Sequence, residues 1–447
     1  MKKRYLYIIA TLVLAGILNF TIIRYQQKQK DTFYTIKDRK GPAAQTPEWV
    51  STKRTAVDLQ NQVVLHPEDN KARLLLAALF IQEARVTGDY AYYDRAAMKQ
   101  VNKVLTTDSI NFEALLYKSL LFLSQHHFAD GLEYATKAQQ INPYNAFVYG
   151  MLIDANVELG NYSAAVENAD KMVSIRPDIR SYSRISYLRE IHGDYPGAIE
   201  AMKLAVEAGV PGTEPTEWAR IQLAQLYEHT GDGRSAEMHY SIALEQRPGY
   251  AFAFAGLGRI AMNKQDYTKA IGLFIQANAA LNDNSFKEEL VEINQLMGQK
   301  EKAKELTNAL IESMSKEAKS GQEDESIGHY ADRELAYAYI NAGDYDKALE
   351  HALAEYNRRP ANIDVNETLA WVYYHQAAYT KALPYIKEAL KTNSKNPTLL
   401  CRAGLIYLQA GDKPAARRLL EEALKNKPYI SPVLRQAAEE AYKTAQQ

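Results

Sequence analysis

The chain has 447 residues, 47% hydrophobic and 24% charged, a balance that excludes an intrinsically disordered polymer. Its 53 basic and 54 acidic residues leave a formal net charge of -1, without the cationic excess by which a nucleic-acid binder neutralises phosphate. A lone cysteine, Cys401, excludes an intramolecular disulfide and any CxxC metal or redox pair.

Met1-Lys2-Lys3-Arg4 leads into residues 5–23, which carry no charge before Arg24. As a helix this run reaches about 28 Å, close to the bilayer core of about 30 Å. No small-residue cleavage site follows it, and Leu14-Ala15-Gly16 precedes Ile17 where a lipoprotein would have cysteine. Residues 1–24 are therefore expected to be an uncleaved transmembrane signal-anchor. The short basic N-terminus is that of a secretory anchor, which would put the body outside the cytoplasm, on the periplasmic side. Arg24, Lys28, Lys30, Lys37, Arg39 and Lys40 argue the other way by the positive-inside rule, so orientation stays open. Residues 25–46, polar and basic with Gly41-Pro42, read as a linker, and 47–69 as an N-terminal capping helix.

Beyond residue 70 the chain repeats itself. Pro360, Ser394 and Pro428 are 34 residues apart, and so are Ala348, Ala382 and Ala416. Ala336, Ala370 and Gly404 keep the same period, as do Tyr339, Tyr373 and Tyr407. Upstream, Pro143 and Pro177, Ala236 and Ala270, Ala243 and Ala277, and Ala224 and Gly258 obey it too. Within a unit such as 335–360, apolar residues recur at helical spacing, Ala342-Gly343-Asp344 breaks the run, and a second amphipathic stretch closes near proline. The recurring alanines belong where paired helices cross closely.

These units resemble tetratricopeptide repeats, and with the N-terminal run the chain resembles the bacterial membrane-anchored type. The resemblance covers residues 70–430 as nine or ten repeats and is best over 217–250, 251–284, 329–362, 363–396 and 397–430. It implies an all-α fold, a right-handed superhelical solenoid of antiparallel helix pairs preceded by one transmembrane helix. His126 replaces the turn glycine in the unit starting near Phe112, and 207–215 and 317–326 read as exposed insertions. Residues 431–447 fit a C-terminal capping helix with a polar outer side.

The sequence carries no G-x-S-x-G, P-loop, G-x-G-x-x-G or HExxH motif, so no enzyme activity, metal or cofactor is expected. His126-His127 is expected to be solvent-facing near a hairpin turn, and Cys401 to be a buried or groove-lining thiol without a base. What remains is a surface. In tetratricopeptide proteins the first helix of each hairpin lines the concave groove, and matching positions place Tyr187, Trp218, Gln225, Phe252, Arg259, Tyr330, Arg333, Tyr337, Glu367, Trp371 and Tyr374 there. Aromatic and arginine side chains are the usual anchors of protein interfaces. The expected function is a membrane-anchored scaffold that binds a peptide or helix of an envelope-associated protein, with no nucleic-acid or small-molecule substrate. The alternatives are a component of an envelope enzyme complex with a site in the inserted loops, and a purely structural spacer. If residues 5–23 span the bilayer, the full-length chain resists carbonate extraction while a chain starting at Thr46 is soluble. Full-length protein recovered soluble with Met1 retained would overturn the anchor.

Overall fold

The computed structural model describes residues 34–281, 283–322 and 328–446. The expected signal-anchor at 1–24 lies outside the described residues; among those described, no helix is long and apolar enough to cross a membrane. The chain divides into two compact units, Met1–Asp38 and Arg39–Gln447. Of the first unit, residues 34–38 are described and carry no regular secondary structure.

The described part of the second unit is all-α. After a 3-10 turn at Gly41–Gln45, helix α1 runs Pro47–Leu65. Ten antiparallel hairpins follow. They pair α2 (Asn70–Thr87) with α3 (Tyr90–Thr107), α4 (Phe112–Ser124) with α5 (Phe128–Ile141), and α6 (Ala146–Glu158) with α7 (Tyr162–Ile175). Next come α8 (Ile179–Ile191) with α9 (Tyr195–Glu207), α10 (Glu214–His229) with α11 (Gly233–Gln246), and α12 (Ala251–Asn263) with α13 (Tyr267–Ala280). The last four pair α14 (Asn284–Leu296) with α15 (Lys300–Gln322), α16 (Asp332–Ala342) with α17 (Tyr345–Arg358), α18 (Ile363–His375) with α19 (Tyr379–Ala389), and α20 (Pro397–Gln409) with α21 (Lys413–Ala423). Helix α22 (Pro432–Gln446) ends the array. Helix α15 continues to Gln322, so the first part of the segment expected to be an exposed insertion is helical, and 323–327 lie outside the described residues.

Local chemistry explains the hairpins. Several second helices start on a side-chain cap: Asp232 accepts from the Ser235 N–H, Asp266 from Lys269 and Asp344 from Lys347. Ala336, Ala348, Ala370, Ala382 and Ala416 have no exposed surface, and a β-carbon at Gly404 would collide with Leu420. The paired helices approach so closely that only small residues fit between them. Where other units have a turn glycine, His126, Gln265 and Ala377 take the left-handed conformation themselves, with φ of 63°, 62° and 55°.

The winding also closes on itself. Contacts recur at sequence separations between 199 and 205 residues, about six repeats of 34, and most join the turn of one hairpin to a linker six units on. His126 Nδ1 lies 2.9 Å from the Tyr330 carbonyl oxygen and His127 Nε2 2.6 Å from that of Gly328, while the His127 and Tyr330 rings stack with centroids 4.1 Å apart. Arg359 donates to Glu158 and to Glu355, and its guanidinium sits 4.7 Å from the Phe128 ring centroid. Asn362 Nδ2 donates to the Glu158 carbonyl at 3.0 Å, and the Tyr162 hydroxyl accepts from the Ile363 N–H at 2.9 Å. A β-carbon at Gly160 would strike the Ala361 backbone, and the φ of 80° there also calls for glycine. The expectation that His126 and His127 face solvent is thus corrected. His127 is 5% exposed, because the next turn of the winding covers it.

The start of the unit is pinned in the same way. Arg39 forks onto Glu83 through Nε at 2.9 Å and Nη2 at 2.5 Å, and Nη2 also reaches Glu48 at 3.0 Å. Glu48 in turn accepts from Arg247 at 3.0 Å.

Ala382→Leu inserts three carbons where α18 and α19 cross, and overpacking of this kind costs about 1–3 kcal/mol. Because each hairpin leans mainly on its neighbours, hydrogen exchange should accelerate in α18–α21 far more than in α2–α5. Equal acceleration along the whole array would contradict the assigned crossing.

Candidate functional site

Successive first helices touch across the stack, α4 on α6, α6 on α8, α10 on α12, α16 on α18 and α18 on α20, whereas no comparable contact joins successive second helices among the described residues. The first helices therefore form the inner, more curved layer. Side chains of that layer which escape the hairpin core face the concave side.

Five of the expected residues gather on α16 and α18, around a sixth that was not foreseen. Arg402, from α20, donates through Nη1 to Glu367 at 2.9 Å and to the Tyr337 hydroxyl at 2.8 Å. Its guanidinium lies 5.0 Å from the Tyr337 ring and 5.2 Å from the Trp371 ring. Trp371 stacks on Tyr374 with centroids 4.7 Å apart and planes 4° apart. Both rings also pack against the buried cores of neighbouring hairpins, so they serve stability as well as surface. Arg333 is bound more loosely: its Nε donates to the Thr368 hydroxyl at 3.3 Å, and the Tyr337 ring lies 5.7 Å from its guanidinium.

A second group lies on α10, α12 and α14. Trp218 and Phe252 meet edge-on at 5.2 Å, and Phe252 meets Phe286 at 5.7 Å, an aromatic ladder with one rung per repeat. Arg259 is tied into the packing: it donates to Glu228 at 3.2 Å and to the Tyr240 hydroxyl at 3.0 Å. Gln225 is half-buried on α10. Tyr187, on α8, is 39% exposed, and burial of its hydroxyl end near Asp364 and Glu158 pushes its pKa well above the usual tyrosine value. Tyr330 is not with the others; it belongs to the seam, against His127 and under Arg358 at 4.3 Å. Trp218 and Phe252 of the ladder, and the α16 and α18 members of the other cluster, were legible from the period, whereas Phe286 was not. Arg402 sits one position off the column that passes through Arg333 and Glu367, and its signal was a single cation inside the apolar run Leu399–Leu408.

The same face is rich in carboxylates. Burial first, then the neighbouring Glu334 and Asp283, raises Glu288 to about 7; burial and nearby Glu292 and Glu228 raise Glu289 to about 7, against the pull of Arg259. Cys401 is buried, and that burial pushes its thiol up to about 12, which leaves it unreactive near neutrality. No group of three His, Cys, Asp or Glu residues able to hold a metal occurs among the described residues.

A model of the tetratricopeptide repeat matches residues 221–285, 333–397 and 367–430, and these stretches are similar to that repeat. Solved structures resemble it at low identity. TTC0263, a thermophilic tetratricopeptide protein from Thermus thermophilus, is 20% identical over 40% of this chain and 92% of its own, with a TM-score of 0.36. YrrB, described as a tetratricopeptide protein with an unusual peptide-binding site, is 19% identical over 42% of this chain and 94% of its own, with a TM-score of 0.29. Yeast Tom70 is 14% identical over 89% of this chain and 93% of its own, with a TM-score of 0.34. No curated protein matches the sequence.

The raised carboxyls set a pH dependence. A glutamate with a pKa near 7 in the folded chain and near 4.5 when unfolded binds more protons folded than unfolded between those values. Its contribution to stability is full at and below pH 4.5 and is lost as pH rises through 7. Glu288→Gln with Glu289→Gln should therefore raise Tm relative to the parent at pH 8, and the gain should shrink towards pH 5. A gain that grows on acidification would contradict the assignment.

Proposed function

We propose that this chain is a membrane-anchored, non-enzymatic tetratricopeptide scaffold that holds a segment of a partner protein on the inner layer of first helices. The observation that carries this reading is the aromatic and arginine surface on α10–α20, where Trp218, Phe252, Arg333, Tyr337 and Trp371 remain partly open while the hairpin core beneath them is closed. Such side chains supply large contact area with little entropy to lose, and an arginine with donors to spare adds direction. Residues 5–23 would tether the scaffold to the bilayer, with the repeats outside the cytoplasm and the partner itself associated with the envelope.

The test is affinity capture from detergent-solubilised membranes with the full-length chain. Removing an anchor commonly costs 2 kcal/mol or more, about a thirtyfold loss of affinity. Arg333→Ala combined with Trp218→Ala should abolish capture of the native partner with Tm only modestly lowered. Lys171→Ala with Lys425→Ala, on exposed positions of two second helices or their ends, should leave capture intact. Normal capture by the inner-layer variant would refute the assignment.

A further inference from the structure

The inner layer around α14, α16 and α18 holds more carboxylate than it can neutralise. Glu288 and Glu289 make no ion pair among the described residues. Glu288 faces Glu334, Asp283 and Arg333, and Glu289 faces Arg259, Glu292, Glu228 and Glu288. Glu334 Oε2 and Glu292 Oε1 are buried without any donor, although Glu292 is also held by the Ser431 hydroxyl and the Val433 N–H. The neighbouring cations are mostly committed. Arg259 is bound to Glu228, Arg402 to Glu367 and Arg359 to Glu158 and Glu355. Arg333 faces Asp364, Glu334 and Glu367, and its hydrogen bond goes to the neutral Thr368 hydroxyl; Glu334 also faces His126 and His329.

A buried carboxylate oxygen without a donor is costly, and like charges crowded together raise that cost. Protonation of Glu288 and Glu289 near neutrality is one relief. A cation delivered from outside is the other, and its charge would draw the pKa of both glutamates down. Beside this excess runs the ladder of Trp218, Phe252 and Phe286, whose last rung is three residues before Glu289 on α14 and so shares its side of the helix.

We propose, resting on the inner-layer reading above, that the partner segment is basic: its lysines or arginines lie among Glu288, Glu289, Glu334 and Asp364 and its apolar side chains against Trp218 and Phe252. The occupant is thus a polypeptide stretch that alternates cationic and apolar residues. Each cation meets two carboxylates across neighbouring first helices, and the flat aromatic faces accept either an aliphatic side chain or an arginine plane.

Two fluorescein-labelled twelve-residue peptides test this by anisotropy with the full-length chain in detergent. One alternates leucine with lysine and the other leucine with glutamate. The lysine peptide should bind and the glutamate peptide should not. Glu288→Gln with Glu289→Gln should weaken the lysine peptide at least tenfold, whereas Glu200→Gln with Glu207→Gln, exposed positions on α9, should leave it unchanged. The proposal falls if the glutamate peptide binds as well as the lysine peptide, if the α14 variant binds the lysine peptide normally, or if neither peptide binds. The inner-layer reading is judged separately, by whether Arg333→Ala with Trp218→Ala loses the native partner. Capture lost there with no preference for basic peptides would leave the surface standing and remove only its charge preference.

Discussion

The fold depends on one constraint: after about 200 residues the winding meets its own edge, and the turn of one hairpin must fit the linker of another six units later. In an ordinary repeat array each unit feels only its neighbours. Here polar contacts across the seam link units that are distant in sequence, and those made by buried side chains have to be satisfied. His127, Arg359 and Asn362 are all at most 5% exposed. A hydrogen bond of this sort contributes about 1 kcal/mol when made and costs more when left open, so the seam selects a single pitch. That pitch decides which first helices are neighbours, and hence which side chains of the inner layer can act together.

The glycines and the arginines then have separate duties. Gly160 and Gly193 allow backbones to touch across the seam, where a β-carbon would hold them apart. Arg39 and Arg359 bind carboxylates with little exposure, Arg39 at the point where the repeat unit begins. Arg402 organises the inner layer by joining Tyr337, Glu367 and Trp371 from two other first helices. Arg333 has no comparable clamp: it donates to the Thr368 hydroxyl and faces Asp364, Glu334 and Glu367.

Much of this was legible in the sequence, for a physical reason. A period of 34 residues is imposed by hairpin geometry, so the alanine columns at Ala348, Ala382 and Ala416, and the turns between helices, repeat with it. The inner-layer positions Tyr337 and Trp371 follow from the same period and do share a guanidinium. The seam was not legible. Its partners are chosen by pitch, which depends on small summed rotations between hairpins and not on any one unit. For that reason Tyr330 and His126 looked like surface residues and are instead members of a packed joint. Arg402 was missed because it stands one residue beside the repeating column. Phe286 was hidden in a unit that follows the pattern poorly, although it completes the aromatic ladder.

The left-handed turn at His126 has a further consequence. Arrays of this kind can ordinarily gain or lose whole units by duplication and deletion, since each new junction resembles the old. In this chain the ring of His126 is committed to the Tyr330 carbonyl 204 residues later. Removing one unit between them would shift that partner, and every other pair along the seam, by a full hairpin. Copy number between the two edges is therefore locked.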